Sequence, residues 1–283
     1  MRCRHLTRDD LEAVHAAFLA AFADYAVAQQ PTRAALQAML RRRGIAWERS
    51  VGVESERGFA AVMAVGVDAW QGAPTAYDIF TGVRPESRGQ GLAGEMLRFA
   101  LPGLRARGVR RFVLEVLEGN ASALAAYRRV GFAVTRDLEC FTLPRATVAA
   151  AATTGVEVSP IDEPDWAALR RFGSWAPTWQ NDCAALERAD RTHRRVLGAR
   201  VDGALQGYGV VFVDSGDVPQ LAVAPAARRR GVGRALVSAL AALSETDALR
   251  ILNVELAARG ELEFWRALGA SETVRQHEMK LSL

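Results

Sequence analysis

One pattern occurs twice in this chain of 283 residues. Val83-Arg-Pro-Glu-Ser-Arg88-Gly-Gln-Gly91-Leu-Ala93 aligns without a gap on Val223-Ala-Pro-Ala-Ala-Arg228-Arg-Arg-Gly231-Val-Gly233. A second pair follows in the same order and at nearly the same offset: Tyr127-Arg-Arg-Val-Gly131-Phe132 aligns on Trp265-Arg-Ala-Leu-Gly269-Ala270. Two ordered matches at nearly the same offset define an internal repeat, and its period is far too long for a solenoid. The chain therefore reads as two homologous domains, as its length also suggests. Pro144 to Gly155 is small-residue, low-complexity sequence with no amphipathic pattern, and reads as a linker. The expected organisation is residues 1–144, a linker at 145–155, and residues 156–283.

Each copy of the first pattern has the same local grammar. A β-rich run ends at Val83, Pro85 breaks it, a loop of Arg and Gly follows, and an apolar-periodic helix starts near Gly91. The first N–H groups of a helix have no internal partner, and the helix dipole adds positive charge there. Glycines let the backbone close around an anion, so the arrangement predicts a phosphate site. Around it the first unit reads as a strand at 2–6, a helix to Phe22, a helix from Pro31 to Arg43, and a hairpin over 50–54 and 59–68. A strand at 75–83, the loop and helix, a strand at 111–117, a helix capped by Asn120 and two strands to Leu143 follow. In the second unit helices are expected over 163–172 and 183–189, with a hairpin between 194 and 213.

Gly89-Gln-Gly91-Leu-Ala-Gly94 spells G-x-G-x-x-G, with Glu115 further on, which could suggest a dinucleotide fold. Three observations exclude it. The strand ends well before the glycines, hairpins precede the loop where a first βαβ strand should stand, and the second copy, read as Gly231-Val-Gly233-Arg-Ala-Leu236, has Leu236 where the third glycine should stand. What the copies share is Arg-x-x-Gly-x-Gly/Ala. No Gly-Lys-Ser/Thr is present, so the loop is not a Walker loop.

Arg-x-x-Gly-x-Gly/Ala after a strand ending Val-x-Pro resembles the acetyl-CoA loop of the GNAT N-acetyltransferase superfamily. Asn120-Ala-Ser-Ala-Leu-Ala-Ala-Tyr127-Arg-Arg-Val-Gly131-Phe132 is similar to that superfamily's later motif. The resemblance spans nearly the whole chain as two tandem units. It implies a mixed α/β fold in each unit, with a mostly antiparallel central sheet flanked by helices, and acetyl-CoA as co-substrate with no metal. Acetyl-CoA would lie where the strand ending at Val83 splays from the strand 111–117. Its pantetheine would pair with Thr81, Gly82 and Val83. Its pyrophosphate would meet Arg88, Gly89, Gln90, Gly91, Leu92, Ala93 and Gly94, with Asn120 and Tyr127 nearby. Leu221, Val223, Arg228, Gly231 and Gly233 would be the second unit's counterparts.

Acetylating an amine requires removing a proton from the attacking ammonium, giving one to the departing sulfur and holding the carbonyl oxygen. Glu115, on an apolar strand where desolvation raises a carboxyl pKa, is the candidate base. Tyr127 occupies the position of the family's general acid. Asp78, on the preceding strand, is an alternative base or an ammonium anchor. The weaker alternatives are a structural Glu115 carboxylate paired with an arginine such as Arg84 or Arg111, a core aromatic at Tyr127, and a solvated loop residue at Arg88. The second unit carries Asn253, Trp265 and Ala258 where the first has Glu115, Tyr127 and Asn120, which predicts a degenerate copy that shapes the acceptor site and could still hold CoA. Asp24, Tyr25, Trp70 and Asp78 are candidates to line the acceptor cleft, and Trp175, Trp179, Gln180 and Asn181 to form a lid over it.

Composition narrows the alternatives. Net charge is +4 and 50% of residues are hydrophobic. Basic runs such as 41–43 and 228–230 raise nucleic acid as a partner, but helix C-termini favour cations, 41–43 sits just before Gly44, a C-cap candidate, and no aromatics are interleaved with the runs. No long apolar run suggests a membrane span and no leader is evident. Cys3, Cys140 and Cys183 show no metal spacing and suit a reducing cytoplasm. The expected protein is an N-acetyltransferase acting on a small amine or a peptide N-terminus. A non-catalytic acyl-CoA-binding protein is the alternative, and a homodimer stays open.

Overall fold

Two long strands decide how the chain divides. The structure, a computed structural model, describes residues 1–24, 30–148 and 155–283. One compact unit comprises Met1–Arg136 together with His277–Leu283, and the other comprises Asp137–Gln276. The sequence-drawn boundaries at 144 and 156 lie elsewhere because Ala133–Pro144 and Ser271–Ser282 are single strands of 12 residues each. Each begins in one unit and ends in the other. The pair of strands expected before Leu143 is thus one continuous strand.

In the first unit, β1 (Arg2–His5), β2 (Val51–Ser55), β3 (Gly58–Trp70) and β4 (Ala73–Val83) pair in antiparallel succession. Gln71 and Gly72, both left-handed at φ 46° and 74°, make the tight β3–β4 turn, as two-residue hairpins require. β5 (Arg111–Leu117) adds parallel to β4. The sheet is completed by the ends of the two long strands, with residues 277–282 next to β5. Helices α1 (Leu11–Ala21) and α2 (Arg33–Arg42) precede β2, α3 (Leu92–Ala106) joins β4 to β5, and α4 (Ala121–Val130) follows β5. Local capping explains their starts. Thr32 Oγ1 accepts from Ala35 N at 3.2 Å ahead of α2, and Asn120 Oδ1 accepts from Ala123 N at 3.1 Å ahead of α4. Gly131, at φ 105°, ends α4.

The buried residues of α3, Leu92, Met96, Leu97, Ala100, Leu101 and Leu104, recur at three- and four-residue spacing and face the sheet. They pack with Met63, Phe112, Leu114 and, from the chain's last strand, Met279 and Leu281. α1 covers the opposite face, where Phe18 meets Phe80 edge-on at 4.9 Å. The approach is close at Gly82: a Cβ there would stand 2.9 Å from the Ala21 Cβ.

The second unit holds β6 (Ala133–Pro144) from Asp137 onward and an antiparallel sheet of β7 (Glu157–Pro160), β8 (Arg194–Val201), β9 (Ala204–Phe212) and β10 (Gln220–Val223). β11 (Ala248–Glu255) pairs with β6, and its Arg250 forms a parallel bridge with Asp217, just ahead of β10. β12 (Ser271–Ser282) contributes its first residues. The helix expected over 163–172 is only α5 (Trp166–Leu169) followed by a 3-10 turn, Arg170–Phe172. α6 (Cys183–Arg188), α7 (Val232–Leu243) and α8 (Arg259–Ala267) complete the unit. No helix among the described residues is long and apolar enough to cross a membrane.

Met279 is wholly buried in the first unit's core although it lies far along the sequence in the second repeat. Met279→Ala is therefore expected to lower stability by about 2–5 kcal/mol, as large-to-small core changes do. Urea denaturation followed by the fluorescence of the first unit's tryptophans, Trp47 and Trp70, in a background whose second-unit tryptophans are replaced by Phe, checks this.

Candidate active site

β4 and β5 stay paired for only three residues. Thr75, Ala76 and Tyr77 face Arg111, Phe112 and Val113, and no pairing continues beyond them. From Asp78 to Val83 the β5-side edge of β4 is open, so its backbone groups can pair with an extended ligand. A bulge in the β3–β4 ladder lies at the same place: Ala64 faces Phe80 and Val65 faces Asp78, leaving Ile79 as the extra residue. The bulge resets the alternation. Asp78 turns toward α4, whereas Phe80, two residues on, packs against α1.

The splay gathers two carboxyl groups, each with a tyrosine. Tyr127 of α4 donates its phenol to Asp78 Oδ2 at 3.1 Å, and Thr81 Oγ1 donates to the same oxygen at 2.7 Å. Tyr77 donates to Glu115 Oε2. Leu114 and Val116 lie in the core beneath α3 and α4, so Glu115 points to the opposite face. Two couples thus flank the splay on its two sides. Asp78 Oδ1 and Glu115 Oε1 are closed to solvent and have no partner among the described residues. Burial pushes the Asp78 carboxyl up to about 6, against the pull of the Thr81 and Tyr127 hydrogen bonds. Burial likewise raises Glu115 to about 7, opposed by the Tyr77 hydrogen bond.

Glu115 does not pair with the arginines that sequence offered it. Arg84 donates to Phe59 O at 2.8 Å and Arg111 to Thr75 Oγ1 at 2.7 Å. Its phenolic partner, Tyr77, escaped sequence reasoning because an aromatic in an apolar strand looks like core. Arg43, which reaches the Ile79 carbonyl at 3.1 Å, escaped it because it stood in a basic run at a helix end.

The glycine loop is open where a ligand would need it. Gly89 and Gly91 are left-handed, at φ 78° and 76°, and a Cβ on either would meet nothing within 4 Å. Gly91 precedes α3 with no side-chain cap. Among the described residues, the amides of Gly89, Gln90, Gly91, Leu92, Ala93 and Gly94 donate to no acceptor. The Arg88 amide is different, since it closes a turn on Pro85 O at 3.2 Å. Its guanidinium is engaged too, with both Asp24 oxygens at 2.6 and 2.7 Å and with Ala21 O at 3.0 Å. Arg88 therefore staples the end of α1 to the loop. Asp24 is used there, Trp70 lies at the closed end of the β3–β4 hairpin with Arg111 over its ring at 5.1 Å, and Tyr25 falls outside the described residues.

The second loop repeats this geometry. Arg229 and Gly231 are left-handed at φ 62° and 82°, matching Gly89 and Gly91. Arg228 Nε folds back onto Val223 O at 3.1 Å, as Arg88 Nε does onto Val83 O at 3.4 Å. The amides from Arg229 to Arg234 are likewise without acceptors among the described residues. The chemistry differs. Asn253 is buried in a knot with Gln276 Nε2 at 2.9 Å, Cys140 Sγ at 3.4 Å and Thr178 Oγ1 at 3.5 Å. A slot between β10 and β11 is lined by Leu221, Ala222, Ile251, Leu252, Trp175 and Trp265. Trp179, Gln180 and Asn181, suggested as a lid, are buried inside this unit, and Asn181 Nδ2 donates to Leu252 O at 2.8 Å.

Family comparisons agree with this doubled geometry. A model described as the acetyltransferase (GNAT) family matches residues 46–132, and one described as the acetyltransferase (GNAT) domain matches residues 192–269. The chain is a tandem GNAT protein. Streptothricin acetyltransferase from Streptomyces lavendulae is 40% identical over 83 residues, covering 29% of this chain and 43% of that protein. Mycothiol acetyltransferase from Corynebacterium glutamicum is 38% identical over 65 residues, covering 23% of this chain and 22% of its own length. The matches thus span less than half of these curated relatives. Among solved structures, a tandem GNAT protein from the clavulanic acid biosynthesis pathway superposes with a TM-score of 0.73 at 18% identity, covering 99% of this chain and 98% of the other. That likeness establishes the GNAT fold in both units.

A carboxyl raised by burial makes the fold less stable as pH climbs. Folded Glu115 keeps its proton to about 7, whereas the unfolded chain releases it near the ordinary value of 4.5. Its contribution is full below that lower value and is lost as pH rises through the folded one. Glu115→Gln is therefore expected to melt close to the parent at pH 4.5 and above it at pH 8, as read by calorimetry at the two pH values.

Proposed function

We propose that this tandem GNAT protein is an acetyl-CoA-dependent N-acetyltransferase, that its first unit performs the chemistry, and that its acceptor is a primary amine. The observation that carries the reading is the pair of tyrosine–carboxyl couples at the β4–β5 splay. Glu115, poised at about 7, is partly ionised at neutral pH and accepts the proton of the attacking ammonium. Tyr127 donates its phenolic proton to the leaving sulfur. Asp78 orients that phenol. This assigns Asp78 to the acid's side and leaves Glu115 as the base.

Acetyl-CoA supplies the thioester when bound. The open edge at Thr81, Gly82 and Val83 would pair with its pantetheine, and the free amides of Gly89 to Gly94 would hold its pyrophosphate at the start of α3. The two GNAT matches and the names of the curated relatives, both acetyltransferases, support the cofactor. Those names refer to small molecules, which favours a small-molecule amine over a peptide N-terminus. No disulfide joins Cys3, Cys140 or Cys183 among the described residues, in keeping with a reducing, cytoplasmic setting.

The second unit supports a different role. Its loop has the same shape and its β10–β11 slot is open, so Leu221, Val223, Arg228, Gly231 and Gly233 suit CoA binding. Asn253 and Trp265 can neither take the amine's proton nor serve as a useful acid. Binding without turnover is the reading for this unit.

Thiol release from acetyl-CoA, measured with a panel of polyamines, amino-sugar antibiotics and an alanine-initiated peptide, tests the assignment. Tyr127→Phe is expected to lose about 10²-fold or more in turnover, the usual scale of general-acid catalysis. A variant as active as the parent, with activity instead lost in Trp265→Phe, would move the chemistry to the second unit. Calorimetric titration of acetyl-CoA checks the loops separately. Gly91→Ala forces a side chain into a left-handed position and is expected to remove one site, leaving the site that depends on Gly231.

A further inference from the structure

We propose that Tyr77 is a positioning residue for this reaction: its buried phenol fixes the Glu115 carboxylate in the splay and leaves Oε1 as the oxygen that takes the amine's proton. The inference rests on Glu115 being the base. Tyr77 is 1% exposed on β4, at the last residue pair before β4 and β5 part. It reaches Glu115 across this opening, and the bond it donates is the carboxylate's sole hydrogen bond among the described residues. A glutamate has three side-chain torsions, and no second hydrogen bond among the described residues restrains them. Oε1, closed to solvent and without a partner among the described residues, is the oxygen left to take a proton.

The surrounding charges act at longer range. Asp78 lies beside Tyr77 on β4, Arg43 comes from the end of α2, Arg136 from β6 and Glu278 from β12. Arg136 and Glu278 hold each other at 2.7 Å, which partly cancels their fields at Glu115. Arg84 and Arg111 are committed to Phe59 O and to Thr75. A carboxylate that loses a donor is ionised less readily, and one that loses its restraint is aimed less well.

The test is Tyr77→Phe, read first without substrate. Titration of ¹³C-labelled glutamate carboxyls by NMR in the full chain, with Glu115→Gln identifying the signal, should show the Glu115 midpoint moving to higher pH. The acidic limb of the kcat/KM profile should move up by the same amount; on that limb, a midpoint higher by about one in pH lowers the rate about tenfold. The loss should narrow at pH 9 while KM for acetyl-CoA stays near the parent value. Replacing Tyr77 with difluorotyrosine strengthens the donor while nearly keeping its shape, and should move both midpoints down. This second variant keeps the test decisive if the Phe variant fails to fold. An unmoved NMR midpoint, or a loss of rate that is equal at every pH, overturns the proposal. An NMR midpoint that moves with no matching change in the rate profile overturns the assignment of Glu115 as base, and the positioning role with it.

Discussion

The site depends on a ladder that stops. β4 and β5 pair over three residues and then part, which leaves backbone groups and two carboxyls facing a gap that a fully paired sheet would close. A continued parallel ladder would satisfy the open edge of β4. Leaving the ladder open is tolerable because stability is gathered elsewhere: the apolar face of α3 and the side chains of β2, β3, β5 and β12 form one contiguous core beneath the splay. The bulge at Ile79 does the finer work. It places Asp78 and Phe80 on opposite faces, so that one strand supplies a polar partner to α4 and an aromatic anchor to α1 within three residues.

The repeat separates what a loop shape requires from what chemistry requires. Arg229 holds the left-handed conformation that Gly89 holds in the first copy, although for a residue with a Cβ this costs of the order of 1 kcal/mol. The second loop therefore keeps its shape without the residue that makes the shape easy. The two arginines, Arg88 and Arg228, brace the carbonyl that ends their own strand. Around Asn253 the opposite has happened. The position that matches Glu115 is held by Asn253, buried and tied to Gln276, Cys140 and Thr178.

Much of the fold was legible because its signals are local. Thr32, Asn120 and Gly131 announce helix ends through hydrogen bonds and backbone angles confined to a few residues, and the glycine loop announces itself in the same way. The extents of β6 and β12 were not legible. A period of two residues says which face of a strand is buried but not which unit supplies the neighbour, so one strand crossing between units reads as two. Glu115, Tyr127 and Asp78 were all visible as candidates, yet their pairing was not. The bulge that turns Asp78 toward Tyr127 leaves no mark in composition, and Tyr77 is indistinguishable from core until its hydroxyl is seen against a carboxylate.

Separating the two couples also bears on how an acid and a base could share one splay. Here the sheet stands between them. Leu114 and Val116 keep β5's apolar side toward Tyr127, and Glu115 leaves by the other side toward Tyr77. Each group is given a substitute partner that holds its geometry: Asp78 receives from Tyr127, and Tyr77 donates to Glu115. On the proposed reading the alternation of side chains along two strands, reset once by a bulge, is what lets proton removal and proton donation take place on opposite faces of the same opening.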